Sequence, residues 1–407
     1  MHPIQLKCPK DPAEILSRLS AAGFAAYAVG GCVRDTLLGI LPHDWDVTTS
    51  ALPEQILAVF EDEHTIPTGL KHGTVTVMMH HVPYEVTTFR IDGAYTDSRH
   101  PESVTFSGRI SDDLSRRDFT INALAWNERD GIVDCFNGME DLKNRTIRAV
   151  GAPELRFRED ALRILRGYRF AAQLDFEIEE NTRNALISEA HLLKNISRER
   201  VSSEFTRLIT AKGAKRVLKM LESDNILSYV YAAGTGLKLP PDEILDRIDA
   251  LPATAEDRLG FLMRGAPSEH VRAELRTLRL SNKQYKDILA LADEDGLTAL
   301  PATEYETRKL LAAYGELSER ALEIASLHGE DTQEKRAQAQ EIRKRHDCLT
   351  IGELAIGGRD LTAIGIKGAE IGRVLAALLD TVLRDPSQNT PDLLLRAAKA
   401  LHNSKTK

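Results

Sequence analysis

Strand-like alternation runs through the first 150 residues of this chain and then stops. In "GTVTVMMH" (73–80) and "YEVTTFRI" (84–91) apolar side chains recur at every second position, the period of a half-buried strand. A turn is expected between them at "HVP", residues 81–83. "AAYAVGG" and "DWDVTTS" read as two further short strands, and "PAEILSRLSAAGF" and "CVRDTLLG" as helices ending at Gly23 and Gly39. Past "RAVGAPELRF" only helical spacing remains. "REDALRILRGYRFAAQL" puts Ala161, Leu165, Tyr168 and Ala172 on one face of a single helix. "IGRVLAALLDTVLRD" does the same with Ile371, Val374, Leu375, Leu378 and Val382 before Pro386. The pattern predicts an α+β fold: a small mixed sheet in a head over 1–150, then an all-α neck (151–215), body (216–300) and tail (301–407). With 407 residues the chain exceeds what one ordinary core holds, which agrees with several domains.

The formal net charge of −8 argues against a nucleic-acid partner only if charge is spread evenly, and it is not. Residues 143–169 and 194–219 are both rich in Lys and Arg, so the middle of the chain is basic. A solvated helix face and a polyanion-binding face share this composition. The four cysteines (Cys8, Cys32, Cys135, Cys348) are widely spaced, without a CxxC pair. That spacing, no apolar run of membrane-spanning length and no apolar signal-like core near the start together predict a cytoplasmic protein without a membrane partner.

Three clusters carry chemistry. Asp44 and Asp46, one residue apart on an extended segment, point the same way. Such a pair serves a turn as readily as a metal. A calcium loop of the EF-hand type is excluded, because its sixth position is Thr49 and its twelfth Gln55. Two Mg²⁺ ions handling a triphosphate suit the pair, since Mg²⁺ takes a few carboxylates plus phosphate oxygens. Glu85, in the alternating "YEVTTF", is the candidate third carboxylate. Gly30 and Gly31 stand where a strand becomes a helix, a place where free amides meet phosphate, with Arg34 as a charged partner. No GxxxxGK[ST] loop competes, and "GTGLKL" lacks the third glycine of a dinucleotide fingerprint. "RRDFTINA" (116–123) and "REDALR" (158–163) add arginine–aspartate combinations that surface ion pairs also produce.

Taken in order, GGxVRD, DxD, RRDFTxNA, EDxxR and "RERVSSE" (198–204) resemble the motifs of the class II tRNA nucleotidyltransferases. These are the CCA-adding enzymes, related to bacterial poly(A) polymerases within the polymerase-beta-like superfamily. The motif match covers about the first 210 residues. The resemblance implies template-independent addition of C and A to the tRNA 3′ end from CTP and ATP, with release of pyrophosphate. It implies two Mg²⁺ ions on Asp44 and Asp46, and the triphosphate on Gly31 and Arg34. Arg117, Asp118 and Asn122 would hold phosphate and ribose, and Asp160 and Arg163 would read the base, supported by Arg166 and Arg169. The neck would then carry the base-selecting helix, and the tail would grip the tRNA acceptor arm. The chain departs from the family pattern at Cys32, where a small residue is usual, and at His100, where arginine is expected.

Base choice by one Asp and one Arg is physically sensible. Cytosine and adenine present an amino donor beside a ring-nitrogen acceptor, whereas uracil and guanine present the reverse. A carboxylate only accepts and a guanidinium only donates, so the pair accepts C and A. It mispairs U and G, and mispaired polar groups discriminate strongly. Both accepted bases satisfy the pair equally, so the switch from C to A needs a movable element, expected in the polar stretch 91–106. Rival readings are an enzyme adding only the terminal A, a poly(A) polymerase, or a non-catalytic RNA-binding or remodelling protein on a retired scaffold. The intact carboxylate pair counts against the last. "RHD" at 345–347 lacks the further ligands of a metal-dependent hydrolase, so His346 reads as a surface residue.

Overall fold

The computed structural model describes residues 6–93, 103–293 and 295–403. The chain divides into two compact units, residues 1–232 and 233–407. The first begins with α1 (Lys10–Ala21), β1 (Ala26–Val29), α2 (Gly31–Leu37), β2 (Val47–Thr49) and α3 (Pro53–Val59). Strands β3 (His64–Gly69), β4 (Thr74–Met79), β5 (Val82–Thr88), β6 (Arg90–Asp92) and β7 (Val104–Phe106) follow. Then come α4 (Ile110–Ser115), β8 (Leu124–Asn127), β9 (Gly131–Asp134), α5 (Gly138–Lys143) and β10 (Thr146–Ile147). Seven strands form one mixed sheet in the order β3-β4-β5-β2-β1-β8-β9, in which β2 and β5 run parallel. Its alternation is the one the sequence shows: Val75, Val77 and Val86 are buried while Thr74, Thr76 and Glu85 are not.

Three details differ from the sequence reading. The turn after β4 is made by His80 and His81, both with positive φ, and Val82 and Pro83 already belong to β5. Left-handed backbone at both central positions matches the right-handed twist of the flanking strands. "YEVTTFRI" is also two strands that divide at Phe89, whose amide makes the last bond to β2 at the Thr49 carbonyl and whose ring is fully buried. Strand structure does not end at 150, since β10 pairs in parallel with β11 (Glu177–Ile178), a piece too short to show a period.

Helices α6 (Pro153–Glu159), α7 (Leu162–Leu174), α8 (Glu180–Ser188), α9 (Arg198–Ile209), α10 (Ala214–Ser223) and α11 (Leu227–Val230) complete this unit. The single helix expected across 158–174 is broken at Asp160, whose extended backbone ends α6. An aspartate in that conformation caps the next turn: its Oδ1 accepts from the Leu162 amide at 3.0 Å. Behind the break α7 buries Ile164, Leu165, Tyr168, Ala171 and Ala172 as the spacing requires.

In the second unit the described residues are helical. The helix Ala369–Arg384 buries Val374, Leu375, Leu378 and Val382 against Leu361, Ile366 and Leu394. No helix of the described residues is long and apolar enough to cross a membrane.

Candidate active site

The sheet delivers the carboxylates. Asp46 immediately precedes β2, and the parallel register Val47↔Val86 carried back one residue sets it beside Glu85, on the face opposite buried Val47. Asp44 lies on the same side by alternation. None of the three carboxylates hydrogen-bonds to another described residue. Both aspartates are open to solvent, yet protein packed around Asp46 removes much of its bulk hydration. That desolvation, then the charges of Asp44 and Glu85, push its pKa up to about 6, opposed by Arg117. Mutually repelling carboxylates without donors fit a cation. Among the described residues no three His, Cys, Asp or Glu side chains gather into a ligand cluster, and Glu85 acts on the pair through its charge at Asp46. Two carboxylates are enough for a hard cation such as Mg²⁺, which takes few protein ligands and fills its remaining positions with other oxygens.

The glycines face the same place. Gly30 caps α2 with φ +82°, and a Cβ there would lie 2.8 Å from Arg117 Nη1. Glycine is favoured here by its positive φ, and the bare Cα lets the Arg117 guanidinium approach closely. Arg117 is held from behind by Asp113, which it meets at 3.2 Å, while its buried Nε has no partner. Burial would raise the Asp113 pKa, but Arg117 and Arg116 hold it below the usual carboxylate range. Cys32, the departure from the family pattern, is buried with its thiol donating to the Val29 carbonyl at 3.4 Å. Burial, with the Asp46 charge behind it, pushes that thiol up to about 12, so it packs as a small apolar group.

A continuous polar chain joins the remaining candidates. Arg34, only 8% exposed, donates to Asn122 Oδ1 at 2.5 Å and pairs with Asp35 at 2.7 Å. Asn122 donates to Asp118 Oδ1 at 3.0 Å, and Asp118 Oδ2 accepts from Arg166 at 2.8 Å. Burial pushes the Asp118 pKa up, but Arg166, the Asn122 bond and Arg163 outweigh it and hold the carboxyl well below its usual range. Arg34, Arg166 and Arg169 all lie over the Phe170 ring, at 5.0, 5.2 and 4.0 Å. Arg169 is buried and donates to Glu204 at 2.5 Å.

Asp160 and Arg163 are near one another without forming the intrahelical pair their spacing suggested. Asp160 Oδ2 accepts from Arg200 at 2.9 Å. Arg163 donates to Glu159 Oε2 at 2.8 Å and to the Arg116 carbonyl at 2.9 Å. Each keeps unused hydrogen-bonding capacity, the carboxylate as acceptor and the guanidinium as donor. Sequence reading missed Asp113, Glu159, Phe170, Arg200 and Glu204. Arg200 and Glu204 lie in "RERVSSE" four residues apart, the spacing of one helix face, and that was the available signal. His100 and most of the polar stretch 91–106, namely 94–102, lie outside the described residues.

Three family models match the chain: the poly A polymerase head domain over residues 26–148, a region described as a probable RNA- and SrmB-binding site of polymerase A over 175–232, and domain 2 of tRNA nucleotidyltransferases over 259–398. The CCA-adding enzyme of Lactobacillus delbrueckii subsp. bulgaricus is 39% identical over 388 residues, covering 92% of this chain and 94% of the relative. That of Enterococcus faecalis is 36% identical over 403 residues, covering 96% and 95%. The crystal structure of the Bacillus stearothermophilus CCA-adding enzyme in complex with CTP superposes with a TM-score of 0.77 at 32% identity, over 98% of this chain and 99% of that one. With its motifs in order and near-full-length relatives of this kind, the chain belongs to the family of CCA-adding enzymes, the tRNA nucleotidyltransferases.

Proposed function

We propose that this chain adds C, C and A, without a template, to the 3′ end of tRNA from CTP and ATP. The observation that carries the reading is the donor-free Asp44–Asp46 pair under the charge of Arg117, whose guanidinium lies against Gly30, while Arg163 bonds to the carbonyl of the adjacent Arg116. Asp44 and Asp46 hold two Mg²⁺, which when bound lower the pKa of the RNA 3′-hydroxyl and screen the triphosphate. Gly31, Arg34 and Arg117 hold the triphosphate, and Asp118 and Asn122 orient the ribose. The RNA 3′-oxygen forms its bond to the α-phosphorus as the bond to pyrophosphate breaks, and the hydroxyl proton passes to water. Asp160 and Arg163 read the base edge. Arg166 and Arg169 stiffen that reader from Asp118 and Glu204. We assign a head to 1–150, a neck to 151–215, a body to 216–300 and a tRNA-gripping tail to 301–407, although the two compact units meet at 232/233, within the proposed body. The four free cysteines support a cytoplasmic setting.

The test uses transcripts of one tRNA ending before CCA, after C and after CC, with CTP and ATP offered separately and together. The proposal expects two additions from CTP alone on the shortest RNA, three from both nucleotides, and one from ATP alone on the CC end. Addition of A only, or of long A tracts, overturns it.

A further inference from the structure

Shortly before the carboxylates in the chain stands the most exposed large apolar side chain of the described residues. Leu41 is 92% exposed and its neighbour Ile40 47%, while the next such residue, Leu155, reaches only 56%. Their loop is anchored at both ends. Gly39, with φ +72°, closes α2 by donating to the Thr36 carbonyl, and the Ile40 amide donates to the Asp35 carbonyl at 2.8 Å. The Asp35 side chain is itself pinned by Arg34. At the other end Trp45 is buried and Val47 enters the sheet. Between these anchors the chain presents aliphatic surface to water, three residues before Asp44. Three peptide units place the Leu41 Cα no more than about 11 Å from that of Asp44.

We propose that Leu41, with Ile40, is the platform on which the terminal nucleoside of the RNA rests while its 3′-hydroxyl is extended. The proposal rests on the nucleotidyl-transfer reading above. That reading puts the 3′-oxygen at Asp44 and Asp46, so the sugar and base carrying it lie within the loop's reach. The phosphate-holding groups Gly31, Arg34 and Arg117 belong to the incoming nucleotide, which leaves the Asp44 flank to the RNA. The chemistry of the platform follows from the substrate. Over three additions the terminal base changes identity, so hydrogen bonds fitted to one base edge would fail on the next. Every base has an apolar face, and contact with it tolerates any sequence. A leucine supplies that contact without a donor or acceptor to mispair.

The experiment measures steady-state addition by the wild type, Leu41→Ser and Leu41→Met on a tRNA ending in C, and on the same RNA with an abasic terminal residue. Leu41→Ser should raise KM for the intact RNA about tenfold, the scale of losing one base-face contact, leaving KM for ATP and CTP unchanged. Leu41→Met should restore the wild-type KM. Removing the terminal base should cost the wild type the same factor and Leu41→Ser nothing more. A wild-type KM for Leu41→Ser, or losses that multiply, overturns the platform while leaving the transfer reading intact. A wild type that extends neither RNA overturns the transfer reading itself. Because the side chain is in water, all three proteins should melt together, and a lowered Tm for Leu41→Ser would also count against the platform.

Discussion

At the residue scale the decisive tension is at Asp46. Its pKa of about 6 stands above the ordinary 3.8, so ionising it in the folded, metal-free protein is unfavourable. The resulting penalty on folding is fully present above pH 6 and is relieved as pH falls towards 4. Asp46→Asn should therefore raise the Tm of the metal-free protein at pH 8, and the difference should shrink towards zero near pH 4. Thermal unfolding in chelator checks this, and an equal difference at both values would contradict it. Either Asp44→Ala or Asp46→Ala should reduce addition at least about 10²-fold, the scale for losing one electrostatic stabiliser, with the fold retained. The common exposure of the two aspartates was legible because one-residue spacing on an extended segment fixes a common face. The partners of Arg34, Asp113 and Arg117 were not, because they join residues that only tertiary folding brings together.

At the scale of the element, α7 is held at its start and at its middle by one face of α9. Arg200 fixes Asp160 at its start and Glu204 fixes Arg169 within it. The periodicity of α7 was readable, but its beginning was not. Helical spacing runs unbroken through "REDALR", and only the extended backbone of Asp160, fixed by its own cap and by a distant arginine, stops it. Arg200→Ala should free the Asp160 carboxylate, raising misincorporation of UTP relative to CTP roughly tenfold while leaving RNA affinity within about twofold. Competition between the two nucleotides on one RNA measures it. Unchanged fidelity would show that Asp160 needs no brace. Glu204→Gln keeps the shape of the Arg169 contact and should have a smaller effect than Glu204→Ala.

At the scale of the whole molecule, the switch from strand to helix period announced a mixed head and a helical remainder, and the described residues have that composition. The net charge of −8 concealed the basic stretches 143–169 and 194–219. If these track RNA phosphates, log affinity should fall against log salt with a slope near the number of phosphates contacted, roughly 0.7–0.9 for each. A flat response would point to another substrate. Shortening residues 94–102 should spare C addition and suppress the final A, and equal loss of both would move the switch elsewhere. The central claim is that protein side chains, not a template, choose C and A. Its most direct measurement is kcat/KM for CTP, ATP, UTP and GTP on one tRNA lacking CCA and on one ending in CC, for the wild type, Asp160→Ala and Arg163→Ala. The account predicts that both variants lose rate with CTP and ATP and that their preference over UTP and GTP falls at least about tenfold. Variants that retain the full C and A preference would contradict it.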